Sequence, residues 1–309
     1  KTQKGLPLYY VKCNENGLFQ LSFRYEFGQS ADKRYDVANE YLNFLGTDKM
    51  TAAEVKQKFY ELACSFSAMV GENTITISLS GLNENMQPAL VLLEDVMNHA
   101  QVDKEAYDAL VKRILKGRED AKKNQRNYFN TLYMYGVYGP RNAYRDIVSE
   151  QQLKDTDPQV FVDLVKKLSN YEHSVNYYGP LEVKELAAII DKTHQTANKL
   201  QAVPQNNYYL KQVAQTNEVW IAPFDAKNIY MRAYHNESRN WNIDEAAVQA
   251  MFNEYFGGGM NGIVFQEMRE ARGLAYNASA NYSRASRKGE KESFYNHIIT
   301  QNDKMMDCI

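Results

Sequence analysis

Histidine and cysteine are the residues of this sequence that could bind a metal ion or act as a catalytic pair, and their spacing supports neither role. Zinc sites on a helix need two histidines about one turn apart, and no two of the five are so placed. The three cysteines are too few and too scattered for a disulfide framework or a zinc knuckle. We interpret them as core or free thiols. These residues are His99, His173, His194, His235, His297, Cys13, Cys64 and Cys308.

Other patterns that would indicate catalysis are missing or incomplete. No Gly-x-Ser-x-Gly motif occurs, and no cysteine lies near a plausible histidine base. The triplet Gly257-Gly258-Gly259 could be a phosphate-binding loop, but it lacks a following Lys-Ser/Thr and comes after a predicted helix. We interpret it as a helix stop and turn. A self-sufficient hydrolase is therefore poorly supported.

The composition suits a globular protein of about two domains and excludes several function classes. The chain has 309 residues, of which 44% are hydrophobic and 24% charged, and its net charge is −2. No window approaches the roughly 18 uninterrupted apolar residues of a membrane span. No long block of Lys and Arg indicates a nucleic-acid partner. Since the N-terminus has no initiator Met and no signal-peptide stretch, we expect a piece of a longer protein.

Hydrophobic periodicity predicts a mixture of strands and helices over the first 200 residues. Helical spacing over Asp36–Leu45 predicts a helix that Gly46 ends. Thr51–Glu54 has the form of a capping box and opens a helix predicted to reach about Phe66. Further helices are predicted near 84–98, 103–122, 158–168 and 181–192. The predicted strands are Gly17–Phe27, Thr74–Ser80 and Ser174–Tyr178.

From Ala202 onward the pattern starts again. A helix over Ile243–Phe256 is predicted to end in the glycine triplet, and a second helix covers Met260–Arg272. A hairpin is predicted around the polar stretch 283–292. The strands predicted here are Val219–Ala222, Ile229–Tyr234, Ala275–Tyr282 and Ser293–Thr300.

The two parts share an order of elements that indicates an internal duplication. The helix ending in Phe44-Leu45-Gly46 corresponds to the helix ending in Tyr255-Phe256-Gly257, at an offset of about 211. We predict an α+β fold with a complete repeat over 1–200 and a second, truncated repeat over 206–309. Each repeat is expected to be a mixed, mostly antiparallel sheet packed by helices. The truncated repeat would leave apolar surface open to a partner.

A stretch of about twenty residues carries a specific resemblance to a known family. From Tyr255 to Tyr276 it reads YFGGGMNGIVFQEMREARGLAY, which is a Gly-rich turn, a helix and a strand entry. It resembles the second-domain signature of the insulinase/pitrilysin (inverzincin) zinc metallopeptidases. In that family a catalytic half and a homologous second half close around a peptide. The resemblance implies duplicated metalloenzyme-like domains in this chain.

The zinc motif of that family is degenerate in this sequence. The catalytic half carries His-x-x-Glu-His before Phe-x-Gly-Thr, with two zinc ligands and a glutamate that activates water. Phe44-Leu45-Gly46-Thr47 is present here, and counting back gives Val37, Glu40 and Tyr41 at the motif positions. Valine has no donor lone pair, and tyrosine is a poor zinc ligand. The resemblance therefore implies that this chain binds no cofactor and that zinc belongs to the catalytic half.

The second half of the resembling enzymes contributes an Arg and a Tyr, seven residues apart, that reach the bound peptide. Arg269 and Tyr276 occupy those places. A guanidinium can donate to a peptide carbonyl, and a phenol can donate to the oxyanion that forms when water attacks. The alternative is that Arg269 pairs with Glu267 or Glu270 while Tyr276 is buried. In a non-catalytic subunit of this family, a Gly-rich loop at the place of the glycine triplet contacts substrate, so a binding role for the triplet stays open.

Two function hypotheses follow from the resemblance. The first is a non-catalytic, substrate-binding half of a zinc metalloendopeptidase, inactive alone and completed by a catalytic half in the same polypeptide or a homologous subunit. The alternative is a structural, non-proteolytic relative that serves as a scaffold. Retention of both Arg269 and Tyr276 favours the first. We expect a peptide substrate, no nucleic-acid partner and no membrane span, and we assume the periplasm or cell envelope of a bacterium.

Overall fold

Alternating apolar and polar residues form the first sheet of the computed structural model, which describes residues 1–13, 15–285 and 290–309. The order across this sheet is β1-β5-β2-β4-β3, in which β1 is parallel to β5 and the other neighbours are antiparallel. Its strands are β1 (Leu8–Lys12), β2 (Leu18–Tyr25), β3 (Cys64–Val70), β4 (Ile75–Leu82) and β5 (Ser174–Gly179).

Within the described residues up to Tyr209, eight α-helices lie between or after these strands along the chain. They are α1 (Arg34–Leu42), α2 (Ala52–Glu61), α3 (Met86–His99), α4 (Lys104–Lys122), α5 (Gln125–Tyr138), α6 (Glu150–Asp155), α7 (Gln159–Lys167) and α8 (Val183–Thr193). Every second residue of β2 is buried and belongs to the core of the first unit. Helices α1, α3 and α7 contribute side chains to the same core, and α7 contacts both α1 and α3. This arrangement explains the amphipathic spacing of α1 and α7 in the sequence.

The chain divides into two units, each with its own core. The first comprises Lys1–Gly117 and Arg145–Tyr209, and the second comprises Arg118–Tyr144 and Leu210–Ile309. The helix α5 therefore belongs to the second unit. The predicted α+β class is confirmed, with sheets packed by helices.

A three-stranded antiparallel sheet forms the centre of the second unit, in the order β6-β8-β7. One face packs on α5, where the ring of Phe129 lies 5.7 Å from that of Tyr230. On the other face, Val264 and Met268 pack against Ala278 and its neighbours. The remaining elements are β6 (Asn228–Asn240), α9 (Ala246–Phe252), α10 (Ile263–Phe265), β7 (Ala275–Ser283) and β8 (Lys291–Gln301).

Three sequence expectations about these elements are corrected or confirmed. The helix expected to reach Phe66 ends at Glu61, and Cys64–Val70 form β3 instead, because their backbone pairs with β4 in an antiparallel ladder. The expected strand Val219–Ala222 is wrong: residues 211–227 are neither helix nor strand. The ring of Trp220 instead lies 5.1 Å from Tyr135 of α5. The expected hairpin is confirmed as β7 and β8, and residues 286–289 of its polar connection lie outside the described residues.

Candidate functional site

Helix α1 carries the three positions of the degenerate motif, and each is engaged in packing or pairing. Val37 and Tyr41 are 4% and 0% exposed. The Tyr41 hydroxyl donates to the carbonyl of Asp103 at 2.7 Å and accepts from the Asp103 N–H at 3.0 Å, just before α4 begins. Glu40 is half exposed, and its carboxylate pairs with Arg113 of α4 at 2.9 Å. These three side chains connect α1 to its neighbours.

The glycine triplet lies where the helix that begins as α9 ends against the sheet. This helix continues as a π-helical segment over Asn253–Gly257. A Cβ on Gly257 would stand 1.8 Å from the carbonyl oxygen of Ala280 in β7, so only glycine fits at this close approach. Gly259 has a positive φ of 63°, which reverses the chain toward α10. The triplet therefore acts as a helix stop and turn, as the sequence predicts.

Side-chain hydrogen bonds attach the end of α9 to the edge of β7. The Asn253 amide donates to the Tyr282 carbonyl at 2.9 Å and accepts from the Tyr282 N–H at 2.6 Å. This pair of bonds occupies the backbone groups of Tyr282 on the edge strand. The position of the glycine triplet relative to the sheet is thereby set.

A buried carboxylate, Glu292 of β8, connects the three strands with α9. It accepts hydrogen bonds from Gln249 of α9 and from the Tyr282 hydroxyl, both at 2.7 Å. Arg239 of β6 lies 2.9 Å from the same carboxylate. Burial opposes ionisation of Glu292, but these hydrogen bonds and the Arg239 charge together lower its pKa. Sequence reasoning missed this group, because residues separated by up to 53 positions meet only in the fold.

Arg269 and Tyr276 lie side by side on the surface of the second unit. Helix α10 continues as a π-helical segment over Gln266–Ala271, and the chain turns at Gly273 into β7. The Arg269 guanidinium carbon lies 5.5 Å from the centre of the Tyr276 ring and 4.9 Å from that of Phe265. Contacts at this distance are favourable cation–π interactions.

The surroundings of this pair leave both polar groups accessible. Tyr276 is 72% exposed, so the alternative of a buried tyrosine is wrong. The other part of that alternative is confirmed, because the Nε atom of the half-exposed Arg269 side chain lies 3.5 Å from the Glu270 carboxylate. Glu267 pairs instead with Arg272. An exposed ion pair of this kind is worth little, so it leaves the guanidinium able to bind another acceptor.

Two family models match the chain, and together they extend over both units. The model for insulinase (peptidase family M16) matches residues 39–139, and that for the peptidase M16 inactive domain matches residues 174–309. The chain belongs to the insulinase family, M16. An uncharacterized zinc protease of Rickettsia felis is 23% identical over 276 residues, which are 86% of this chain and 63% of that protein.

Solved structures of this family share the fold. The peptidase M16 inactive domain from Pseudomonas fluorescens matches with a TM-score of 0.73 at 18% identity, over 97% of this chain and 73% of that chain. The periplasmic protease PqqL from Escherichia coli matches with a TM-score of 0.79 at 14% identity, over 99% of this chain and 34% of that chain. At these identities the likeness establishes the M16 fold alone.

The positions of α1 that the sequence resemblance aligns with the zinc motif do not fit a zinc ion. Zinc needs deprotonated nitrogen, sulfur or oxygen donors, and Val37 offers none. Burial raises the pKa of the Tyr41 phenol, whose hydroxyl is already hydrogen-bonded to Asp103 on both sides. Glu40 is paired with Arg113. The described side chains of α1 therefore offer no zinc ligand set at this place.

A different group of possible metal ligands lies on the surface of the first unit. Ligand atoms of Asp48, Asp95 and His99 fall within 4.8 Å of one another. His99 already bonds to Asp95 at 2.8 Å, and the Lys49 ammonium lies 3.9 Å from the same carboxylate. The lysine charge opposes a cation there, and we assign no metal to this group. No described helix is long and apolar enough to cross a membrane.

Proposed function

We propose that this chain is the non-catalytic, substrate-binding half of a zinc metalloendopeptidase. The observation that carries the proposal is the exposed Arg269–Tyr276 pair within the segment that matches the M16 inactive domain. The proposed motif positions of α1 support the non-catalytic assignment, because Val37 and Tyr41 are buried packing residues. A scaffold alone gains little from an exposed arginine held over an exposed tyrosine, so this pair disfavours the structural alternative.

Each member of the pair has a distinct role toward a peptide. The Arg269 guanidinium donates hydrogen bonds to a substrate carbonyl oxygen, in the ground state as well as in the transition state. The Tyr276 hydroxyl donates to the oxyanion that forms when water attacks that carbonyl. The catalytic half supplies the zinc ion and the activated water. The contact between the guanidinium and the ring orients both donors before substrate arrives.

The glycine triplet offers a second contact for a peptide substrate. Gly257 is fixed against Ala280, whereas a Cβ on Gly259 would meet no described atom within 4 Å. The exposed backbone at Gly259 therefore has open space beside it, and a peptide main chain can approach it closely. Substrate contact through backbone groups would be independent of peptide sequence.

The partner is a catalytic half with His-x-x-Glu-His, in the same polypeptide or as a separate homologous subunit. This chain spans 63% of the length of the Rickettsia felis relative, so a complete peptidase includes more than these residues. One structural relative is described as a periplasmic protease, and we extend the periplasm or cell envelope of a bacterium to this chain as part of the proposal.

Peptide cleavage and peptide affinity test the proposal together. The chain alone should not cleave an unstructured peptide, and addition of its catalytic half should give cleavage that chelators abolish. In the assembled enzyme, Arg269→Ala should weaken peptide affinity about tenfold, because a charged hydrogen bond to the carbonyl is lost. Arg272→Ala is the matched control, since Arg272 is an exposed arginine three residues away that pairs with Glu267. Cleavage by the chain alone, or equal affinity losses in both variants, would contradict the proposal.

A further inference from the structure

Glu94, His194 and His173 form a continuous chain of hydrogen bonds, here called the file, which is buried in the core of the first unit. His194, which follows α8, places its Nδ1 atom 2.6 Å from Oε1 of Glu94 in α3. Its Nε2 atom lies 2.8 Å from Nε2 of His173, and His173 Nδ1 lies 2.7 Å from the carbonyl oxygen of Tyr171. The three titratable side chains are between 4% and 6% exposed.

The partners in this file determine where the protons are. The Tyr171 carbonyl can only accept, so His173 carries a hydrogen on Nδ1, and its Nε2 is then an acceptor. His194 must therefore donate from Nε2. A third proton is shared by His194 Nδ1 and Glu94. Either His194 is an imidazolium beside the Glu94 carboxylate, or His194 is a neutral imidazole beside the Glu94 carboxylic acid. With three protons every bond of the file is made and its total charge is zero.

A fourth proton would break the file. It would go to Nε2 of His173, where two N–H groups would face each other and the His173–His194 bond would be lost. A positive charge would also be added to a buried side chain, and the cavity beside its neighbour His194 has a volume of only about 20 Å³, enough for at most one water molecule. Burial accordingly lowers the pKa of His173 to about 4, although the hydrogen bond to Tyr171 raises it and the charge of His194 lowers it further.

The groups around the file favour the three-proton state. Lys166 of α7 lines the small cavity beside His194, and the Lys4 ammonium donates to the His194 carbonyl oxygen. Both carry a positive charge and oppose an added proton. The ring of Tyr25 in β2 lies 4.8 Å from His173, and burial raises the pKa of its phenol, so it stays neutral. Glu94 is the acidic side chain among the described residues that line the cavity.

The file also holds the segment that follows α8 in the first unit. The Gln195 N–H donates to Oε2 of Glu94 at 3.0 Å. Beyond it, the Ala197 N–H donates to Ser169 and the Gln201 N–H to Asn170, so residues 195–201 lie along the chain just before His173. Loss of the His173–His194 bond would remove the side-chain hydrogen bond that joins these two chain segments.

We propose that the Glu94–His194–His173 file is an acid-sensitive latch, in which uptake of one proton by His173 releases residues 194–201 from the first unit. The closed latch keeps His173 neutral down to about pH 4, whereas a released histidine titrates near 6.5. Between about pH 4 and pH 6.5, release of the segment is therefore accompanied by uptake of one proton on His173. The equilibrium constant for release rises up to tenfold for each pH unit lost, and about a hundredfold over this window.

Hydrogen exchange of the full chain between pH 7 and pH 4.5 measures the release directly. After correction for the intrinsic exchange rate, the amides of Gln195, Ala197 and Gln201 should lose up to tenfold in protection per pH unit. The amides of β4 (Ile75–Leu82) should not change in this way, because no titrating group of the file bonds to them. Constant protection of residues 195–201, or an equal loss in β4, would overturn the proposal.

Two variants separate the latch from other titrations of the chain. His173→Gln keeps an acceptor for the His194 N–H but cannot take up a proton, so protection at 195–201 should lose its pH dependence even if its level falls. His99→Gln is the matched control, because His99 lies on α3 beside an acidic partner but is exposed, and its pH dependence should equal that of the wild type. Wild-type pH dependence in His173→Gln would refute the latch. If that variant fails to fold, the NMR signals of the His173 ring in the wild type provide the test. Titration of these signals near pH 6.5 in the folded state would also refute the latch.

Discussion

The two units differ in how they hold the side chains that the sequence resemblance proposes as site positions. In α1 of the first unit, Val37 and Tyr41 are buried and Glu40 is paired with a helix beside it. In the second unit, Arg269 and Tyr276 are exposed and contact each other. Only side chains that stay accessible can contact a substrate, so the second unit is where we place the proposed substrate contacts. The first unit is held by its core at these positions, and the second presents polar donors.

Tyr41→Ala should have the largest effect on stability and tests whether α1 is committed to the core. The variant loses a fully buried ring and the hydroxyl that bonds Asp103 at the start of α4, so the first unit should lose about 3–5 kcal/mol of unfolding free energy. Hydrogen exchange of α1 and α4 measures the loss. Tyr60→Ala, at an exposed position of α2, is the control and should change little. A loss below about 1 kcal/mol for Tyr41→Ala would show that α1 is not held by packing.

Gly257→Ala should have the next largest effect and tests the close contact that fixes the glycine triplet. The added Cβ would overlap the Ala280 carbonyl oxygen, and because this neighbour is backbone it cannot turn away. We expect a loss of about 3 kcal/mol in the second unit, against about 1 kcal/mol for Gly259→Ala, where only the positive φ is unfavourable. Tryptophan fluorescence during chemical denaturation is the measurement, since Trp220 and Trp241 both belong to the second unit. Equal losses in the two variants would contradict the packing argument.

The stability of the second unit should depend on pH, and this effect should be smaller than those of Tyr41→Ala and Gly257→Ala. Hydrogen bonds from Tyr282 and Gln249 and the charge of Arg239 outweigh burial and lower the pKa of Glu292 below its ordinary value of 4.5. A carboxyl with a lowered pKa contributes stability above pH 4.5, and this contribution is lost as the pH falls through its value in the folded state. Stability followed by tryptophan fluorescence should fall below about pH 4.5, and the slope should be reduced in Glu292→Gln. An unchanged slope in that variant would show that Glu292 is not the group responsible.

Much of the fold was predictable because it depends on local periodicity. The hairpin of β7 and β8, the amphipathic helices and the helix stop at the glycine triplet all follow from residue spacing. The sequence does not predict β3, because this strand follows closely after a capped helix. It predicts a strand over Val219–Ala222, where the structure has neither helix nor strand. Strand pairing depends on distant residues, which periodicity does not report. The duplication of the element order stays a prediction.

The candidate site was predictable only in part. The Tyr255–Tyr276 segment identifies Arg269 and Tyr276 because its motif is nearly continuous. The supporting contacts were not predictable. Asn253 acts on the backbone of Tyr282, and Glu292 is stabilised by residues of other elements. Such contacts leave no regular spacing in a single sequence.

Turnover of the assembled peptidase with Tyr276→Phe tests whether the exposed Arg269–Tyr276 pair takes part in peptide cleavage. Only a hydroxyl is removed from an exposed ring, so folding should be unaffected, while turnover should fall about 10²–10³-fold because a donor to the oxyanion is lost. Tyr255→Phe, at a similarly exposed tyrosine of the same segment, is the matched control and should keep wild-type turnover. Wild-type turnover in Tyr276→Phe would contradict the account, and the exposed pair would then have no part in peptide cleavage.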